Sequence, residues 1–267
     1  NPEIAVRRGV MLALTSPSFL YAPWDSGGTQ PDPYQLASRL ALTLWDSLPD
    51  QVLLDAVWKN ELTSKEQINA QVERMLRHPA TKNKIRSFFE HWLEIEGRDL
   101  NKDKEMFPEF DEKLIVDLRE SLDLFIEETV WSERSDYRQL LLADHMMLNP
   151  FLKEFYLPSE GDSHEGKSDL SSVSAEFMRV SFPKDQRSGI LTHPYLLSAF
   201  AYHNNTSPIH RGVFLTRNIV GRALNPPPMA VAFKDSDYPE DITMREKVTQ
   251  LTSDTACMAC HSIINPL

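Results

Sequence analysis

The chain has 267 residues, with 28 Lys and Arg against 39 Asp and Glu, for a formal net charge of −11. That balance argues against a nucleic-acid partner, whose phosphates need a basic face, and against anionic membrane surfaces. Hydrophobic residues make up 41% of the chain and only 9 Gly occur, which suits a helical protein of one large or two modest domains.

Ile4 to Tyr21 is apolar with helical spacing and is broken at Pro17. Asp32 reads as an N-cap with Pro33 at the first helical position, and Leu36, Leu40 and Leu44 share the next face. Ser47-Leu48-Pro49-Asp50 opens a further helix over Val52 to Trp58. Thr63 and Glu66 are expected to form a capping box for a helix through Met75 and Leu76. Ala80 to Glu94 places Ile85, Phe88, Phe89 and Trp92 on one face. Asp111 caps the longest helix, where Leu114, Leu118, Leu122 and Phe125 keep an apolar rhythm of about four residues. Tyr137 to Leu142 is a short helix.

Pro158 to Glu176 is rich in Ser, Asp, Glu and Gly and reads as a surface loop or linker. Phe177 to Phe182 is a candidate strand. Leu191 to Ala201, Pro208 to Gly221 and Met244 to Leu251 read as helices. Asn225 to Glu240 holds four prolines and is expected to be extended. The expected fold is mainly α: a multi-helix domain over residues 1–157, a polar linker over 158–176, and a helical, Pro-rich segment over 177–267. No apolar run approaches the roughly 18 residues of a transmembrane helix.

The two cysteines of the chain sit three apart in Cys257-Met258-Ala259-Cys260-His261, the C-x-x-C-H pattern of covalent haem c attachment. On one helical turn two such thiols can reach both vinyl groups of one haem, and the adjacent imidazole can ligate the iron. A thioredoxin-type pair would want a strand before the motif, which Thr249 to Ala256 does not supply. A zinc site would need four ligands, and there is no second Cys pair. Haem is attached by thioethers beyond the cytoplasmic membrane, so the periplasm, the cell surface or the exterior is the expected compartment.

The second axial ligand is open among His193, His203, His210 and Met229. Arg211, beside His210, is a candidate partner for a haem propionate, and Met229 follows Pro226-Pro227-Pro228. His78, His91, His145 and His164 read as structural or solvated. The acidic stretch Asp99, Asp103, Glu105, Glu109, Asp111 and Glu112 fits no calcium loop and reads as a solvated face.

Several segments together carry a family resemblance: Tyr34 to Leu40, Leu44 to Asp50, Arg74-Met75-Leu76, Phe88 to Leu93, Arg187 to His193, Thr206 to Gly212, and Cys257 to Leu267 ending in Asn265-Pro266-Leu267. They resemble the large exported planctomycete-type proteins built from domains of unknown function, which end in cytochrome-c-like segments. The resemblance covers nearly the whole chain. It implies more chain before Asn1, where an export signal or another haem segment would lie, and more after Leu267. The expected function is one-electron transfer through a covalent haem c, toward a redox partner protein or further haem domains of the same polypeptide. Two rivals stand beside it. One is a peroxidase-like oxidoreductase with an open sixth site, using His193 or His210 as acid–base residue. The other is an interaction or scaffold module with an accessory haem.

Overall fold

The computed structural model describes residues 2–21, 32–157, 176–183, 185–225, 238–239 and 241–266. The protein is mainly α, with one two-stranded antiparallel sheet among the described residues. It divides into two compact units, residues 1–88 and 89–267.

The first unit begins with α1 (Pro2–Leu14) and α2 (Pro17–Leu20), separated just before Pro17 as the sequence predicts. Its core is built by α3 (Pro33–Trp45), α4 (Gln51–Trp58) and α5 (Lys65–Leu76). Ala37 and Ala41, one turn apart on α3, let the neighbouring helices approach. Leu53, Val57, Leu62 and Met75 fill the space around them. Asp50 caps α4 by accepting from Leu53 N–H (3.0 Å) and also receives a two-pronged contact from Arg74, at 2.7 and 3.1 Å. Trp45 Nε1–H donates to the Met75 carbonyl and to Thr81 Oγ1, both at 3.1 Å. The capping box of α5 is Ser64 and Gln67, one residue later than Thr63 and Glu66. Both pairs fit the pattern, but Gln67 Oε1 accepts from the N–H groups of Thr63 and Ser64 together (3.1 and 3.0 Å), which fixes the later start. Helix α6 (Pro79–Trp92) runs across the boundary between the units.

The second unit is organised by α7 (Glu112–Val130), capped by Asp111, with Leu114, Leu118, Leu122 and Phe125 buried along one face. Next come α8 (Gln139–Leu142), β1 (His145–Leu148), α9 (Pro150–Tyr156) and β2 (Met178–Ser181). The strands pair with His145 opposite Ser181 and Leu148 opposite Met178. Glu128 of α7 clamps this sheet, accepting from His145 Nε2–H on β1 and from Arg179 on β2, both at 2.9 Å. A 3-10 turn (Gly189–Thr192) precedes α10 (Pro194–Ala199). The sequence predicts one helix here, but Pro194 keeps His193 out of helical geometry and splits the segment. The unit ends with α11 (Pro208–Phe214), a π-helical turn (Leu215–Ile219), α12 (Met244–Leu251) and α13 (Thr255–Ile264). Trp92 Nε1–H donates to the Asn218 carbonyl (2.9 Å), and Asn218 Nδ2 donates back to the Trp92 carbonyl (2.8 Å).

The polar stretch 158–175 and most of the Pro-rich stretch, 226–237, lie outside the described residues, as do Met229 and His164. No described helix is long and apolar enough to cross a membrane.

Candidate functional site

Helix α13 begins at Asp254, whose carboxylate accepts from Ala256 N–H at 2.8 Å. That start puts Cys257, Cys260 and His261 at positions i, i+3 and i+4, within an arc of about 100° on one face. Both thiols are unpaired, and all three side chains are half-buried rather than sealed in the core. Cys260 Sγ lies 4.0 Å from the carbonyl oxygen of Asn225, so the chain leaving the π turn passes beside the motif.

Helices α11 and α12 support α13. Ser207 caps α11 by accepting from His210 N–H (3.2 Å), with Pro208 at the first position. Gly212 is buried against Ile264 of α13. A capping box of Thr243 and Glu246 starts α12, and its hydrogen bonds hold the Glu246 carboxyl below its ordinary pKa. At the other end of α12, Thr252 is buried.

His261 Nδ1 lies 2.9 Å from Asn265 Oδ1. Asn265 Nδ2 donates to Thr252 Oγ1 (3.3 Å), and the Asn265 carbonyl accepts from Arg245 Nη1 (2.7 Å). Burial pushes the pKa of Arg211 down, and the charge of Arg245 adds to that effect, so the two guanidiniums share one neighbourhood. Arg211 Nε is buried without a hydrogen-bond partner among the described residues. Two cations together, with no ion pair to Arg211 among the described residues, favour an anionic group beside them.

The donor set therefore consists of two free thiols and one imidazole on a single helix face, with guanidiniums on the supporting helices. That set fits a haem c, which takes two thioethers and an axial nitrogen from the protein and carries anionic propionates. Among the described residues, no three His, Cys, Asp or Glu side chains converge as ligands of a bare metal ion.

The other histidines are placed elsewhere. His193 is fully buried and caps α10, its Nδ1 accepting from Tyr195 N–H (3.3 Å). Its Nε2 lies 3.2 Å from Ser121 Oγ, whose own proton goes to the Met147 carbonyl. Both ring nitrogens are thus committed, and burial pushes the pKa down to about 3, helped by Arg187. His203 Nδ1–H donates to the Asn101 carbonyl (3.0 Å) and ties the acidic stretch down. The His210 ring packs tilted against Tyr202, centroids 4.9 Å apart and planes at 55°, and lost hydration and the charge of Arg98 lower its pKa. It lies two residues before Gly212, and so about 200° around α11 from the face that meets α13. Among the described residues, no hydrogen bond or ring contact joins any of these three to α13.

Asn265, Thr252, Arg245 and Gly212 complete the site; Thr252 and Arg245 are not singled out in the sequence, and Asn265 and Gly212 enter there only within the segments that carry the family resemblance. The four-residue spacing from His261 to Asn265 carries a signal, because i and i+4 share a helix face. Thr252, Arg245 and Gly212 join the site only through tertiary packing.

Residues 32–157 match the family model PSD4, described as a protein of unknown function (DUF1592). Residues 187–267 match PSCyt3, also described as a protein of unknown function (DUF1588). No curated protein and no solved structure matches the chain.

Proposed function

We propose that the C-terminal part of the chain binds one haem c covalently and serves one-electron transfer in an exported protein. The observation that carries this reading is the C-x-x-C-H sequence on a single turn of α13, with both half-buried thiols free and His261 beside them. The name of the model matched by residues 187–267, PSCyt3, is of the kind a cytochrome-related family carries. When bound, haem c supplies an iron centre that exchanges one electron between its ferric and ferrous states.

The protein's share of the work is to hold, orient and shield. Cys257 and Cys260 anchor the macrocycle, which prevents its loss on each redox cycle. His261 supplies the proximal nitrogen. Arg211 and Arg245 would hold the propionates and compensate their charge. The packed helices α11 to α13 keep these groups from rearranging between redox states. In this reading the helical residues 1–157 and the polar stretch 158–176 precede the haem-bearing segment 177–267, and electrons pass to a partner protein or a neighbouring haem domain. The compartment is periplasmic, cell-surface or extracellular, because attachment takes place there.

Met229 would supply the second protein ligand to the iron. It stands four residues after Asn225, whose carbonyl lies against Cys260, and four residues span about 14 Å at most. The candidate histidines are held in other contacts by comparison.

The test is an absorption spectrum of protein produced in an export-competent, haem-attaching host, followed by denaturation. Haem bands that stay with the denatured chain, and vanish in Cys257→Ala/Cys260→Ala, support the reading. A colourless wild-type protein sinks it.

A further inference from the structure

We infer that Asn265, itself held by Thr252, is a positioning residue that locks His261 in the one tautomer able to bind iron through Nε2. This rests on the haem-binding reading above. The chain of logic starts at a hydroxyl. Thr252 Oγ1–H donates to the Val248 carbonyl at 2.8 Å, so its proton is already used. Toward Asn265 it can only accept, and the group 3.3 Å away must be an N–H donor. That fixes the amide: Nδ2 faces Thr252 and Oδ1 faces His261. An amide oxygen only accepts, so the ring nitrogen 2.9 Å from it carries a proton. His261 therefore holds its proton on Nδ1 and presents a bare lone pair at Nε2, the nitrogen farther from its own backbone.

The frame around this amide is fixed from two further directions. Asn265 N–H donates to the His261 carbonyl at 2.9 Å, and Arg245 Nη1 donates to the Asn265 carbonyl at 2.7 Å. Thr252 is buried, which protects its bonds from competing water. A metal-bound imidazole whose N–H is held by an acceptor gains basicity and a set ring orientation. Asn265 supplies a neutral acceptor, intermediate between no acceptor and a carboxylate. Its identity therefore sets where the iron couple lies, as well as whether the ring is aligned.

Two readouts on the full chain test this. The first uses apo protein made without haem attachment and follows the imidazole nitrogens of His261 by two-dimensional NMR. The Nδ1–H form should dominate in wild type and give way to the Nε2–H form, which is preferred in free histidine, in Asn265→Leu and Thr252→Val. The second is a potentiometric titration of the haem-loaded protein. Asn265→Asp should lower the potential and Asn265→Leu raise it. Each should shift the reduced-to-oxidised ratio at fixed potential about tenfold or more, which is about 59 mV for a one-electron couple.

Equal potentials in loaded wild type, Asn265→Asp and Asn265→Leu would overturn the inference while leaving haem binding intact. So would an Nε2–H ring in the wild-type apo protein. A wild-type protein that never loads haem, with the Nδ1–H tautomer present, would overturn the haem reading and with it the claim on the potential.

Discussion

A Cβ placed on Gly212 of α11 would lie 2.3 Å from Ile264 Cγ2 and 3.0 Å from the Ile264 carbonyl of α13. Two helices cross at this glycine, and one of them carries the C-x-x-C-H turn. Gly212→Ala gains helix propensity of about 1 kcal/mol. The clash with a side chain and a carbonyl costs more, about 1–3 kcal/mol for overpacking. The expected result is lower thermal stability and poorer haem loading, read by circular dichroism and by haem absorbance per chain. Unchanged melting and loading would show that α13 can shift without loss.

His193 makes stability depend on pH. Its folded pKa of about 3 lies below the ordinary 6.5, because burial disfavours the cation. Between those values the unfolded chain takes up a proton that the folded chain refuses. Stability therefore falls as pH drops below 6.5, by up to about 1.4 kcal/mol per pH unit. Arg187 faces the ring and adds to the penalty. His193→Asn keeps a good capping residue without the titration. Urea midpoints from neutral pH down to about pH 5 should slope in wild type and flatten in the variant.

Asp50 is an acid-side counterpart. Burial alone would raise its pKa, but the Arg74 guanidinium and the Leu53 N–H outweigh that and hold it below 3.8. Its contribution is complete above 3.8 and is lost as pH falls through the lower folded value. Asp50→Asn keeps the cap on α4 and loses the charge pair, which for a half-exposed pair amounts to about 1 kcal/mol or less. The gap between wild type and variant should be present at neutral pH and close in strong acid. A gap that persists there would point to the cap rather than the pair.

The axial ligand can be read optically. Met229→Ala should abolish the charge-transfer band of methionine-ligated ferric haem and open the iron to cyanide. His193→Asn, His203→Asn and His210→Asn should leave that band in place. If a histidine variant opens the site instead, the assignment moves to that residue, and an exposed sixth site revives the peroxidase-like alternative.

Much of the helical order was legible because it depends on neighbours in sequence. Asp32-Pro33, Asp50 and Asp111 announce helix starts, and Leu114 to Phe125 repeats every turn. Phe177 to Phe182 was readable as a strand and forms one over Met178–Ser181. Its partner, His145–Leu148, was not, since a histidine and three apolar residues with no alternation fit helix or strand equally. Asn149-Pro150 carries a start signal for α9 that the sequence reading passed over. The capping box slipped by one residue because Thr63, Ser64, Glu66 and Gln67 satisfy the pattern twice. At the site, the motif is contiguous and therefore visible. The contact of Gly212 with Ile264, 52 positions apart, and that of Arg245 with Asn265 exist only once α11 to α13 have packed.

The π turn at Leu215–Ile219 holds one more residue than an α-helical turn would need. Its register is what aims the Asn218 carbonyl at Trp92 and sends the following chain past Cys260 at Asn225. Were this turn to relax to α geometry with all its residues kept, everything after it would turn by about 100° around the axis. Asn225 would then leave the thiol it now borders, and the indole of Trp92 would lose its acceptor. The geometry of this one turn is thus a ruler for the segment that follows, and its loss would be felt at the motif although every residue of the motif kept its identity.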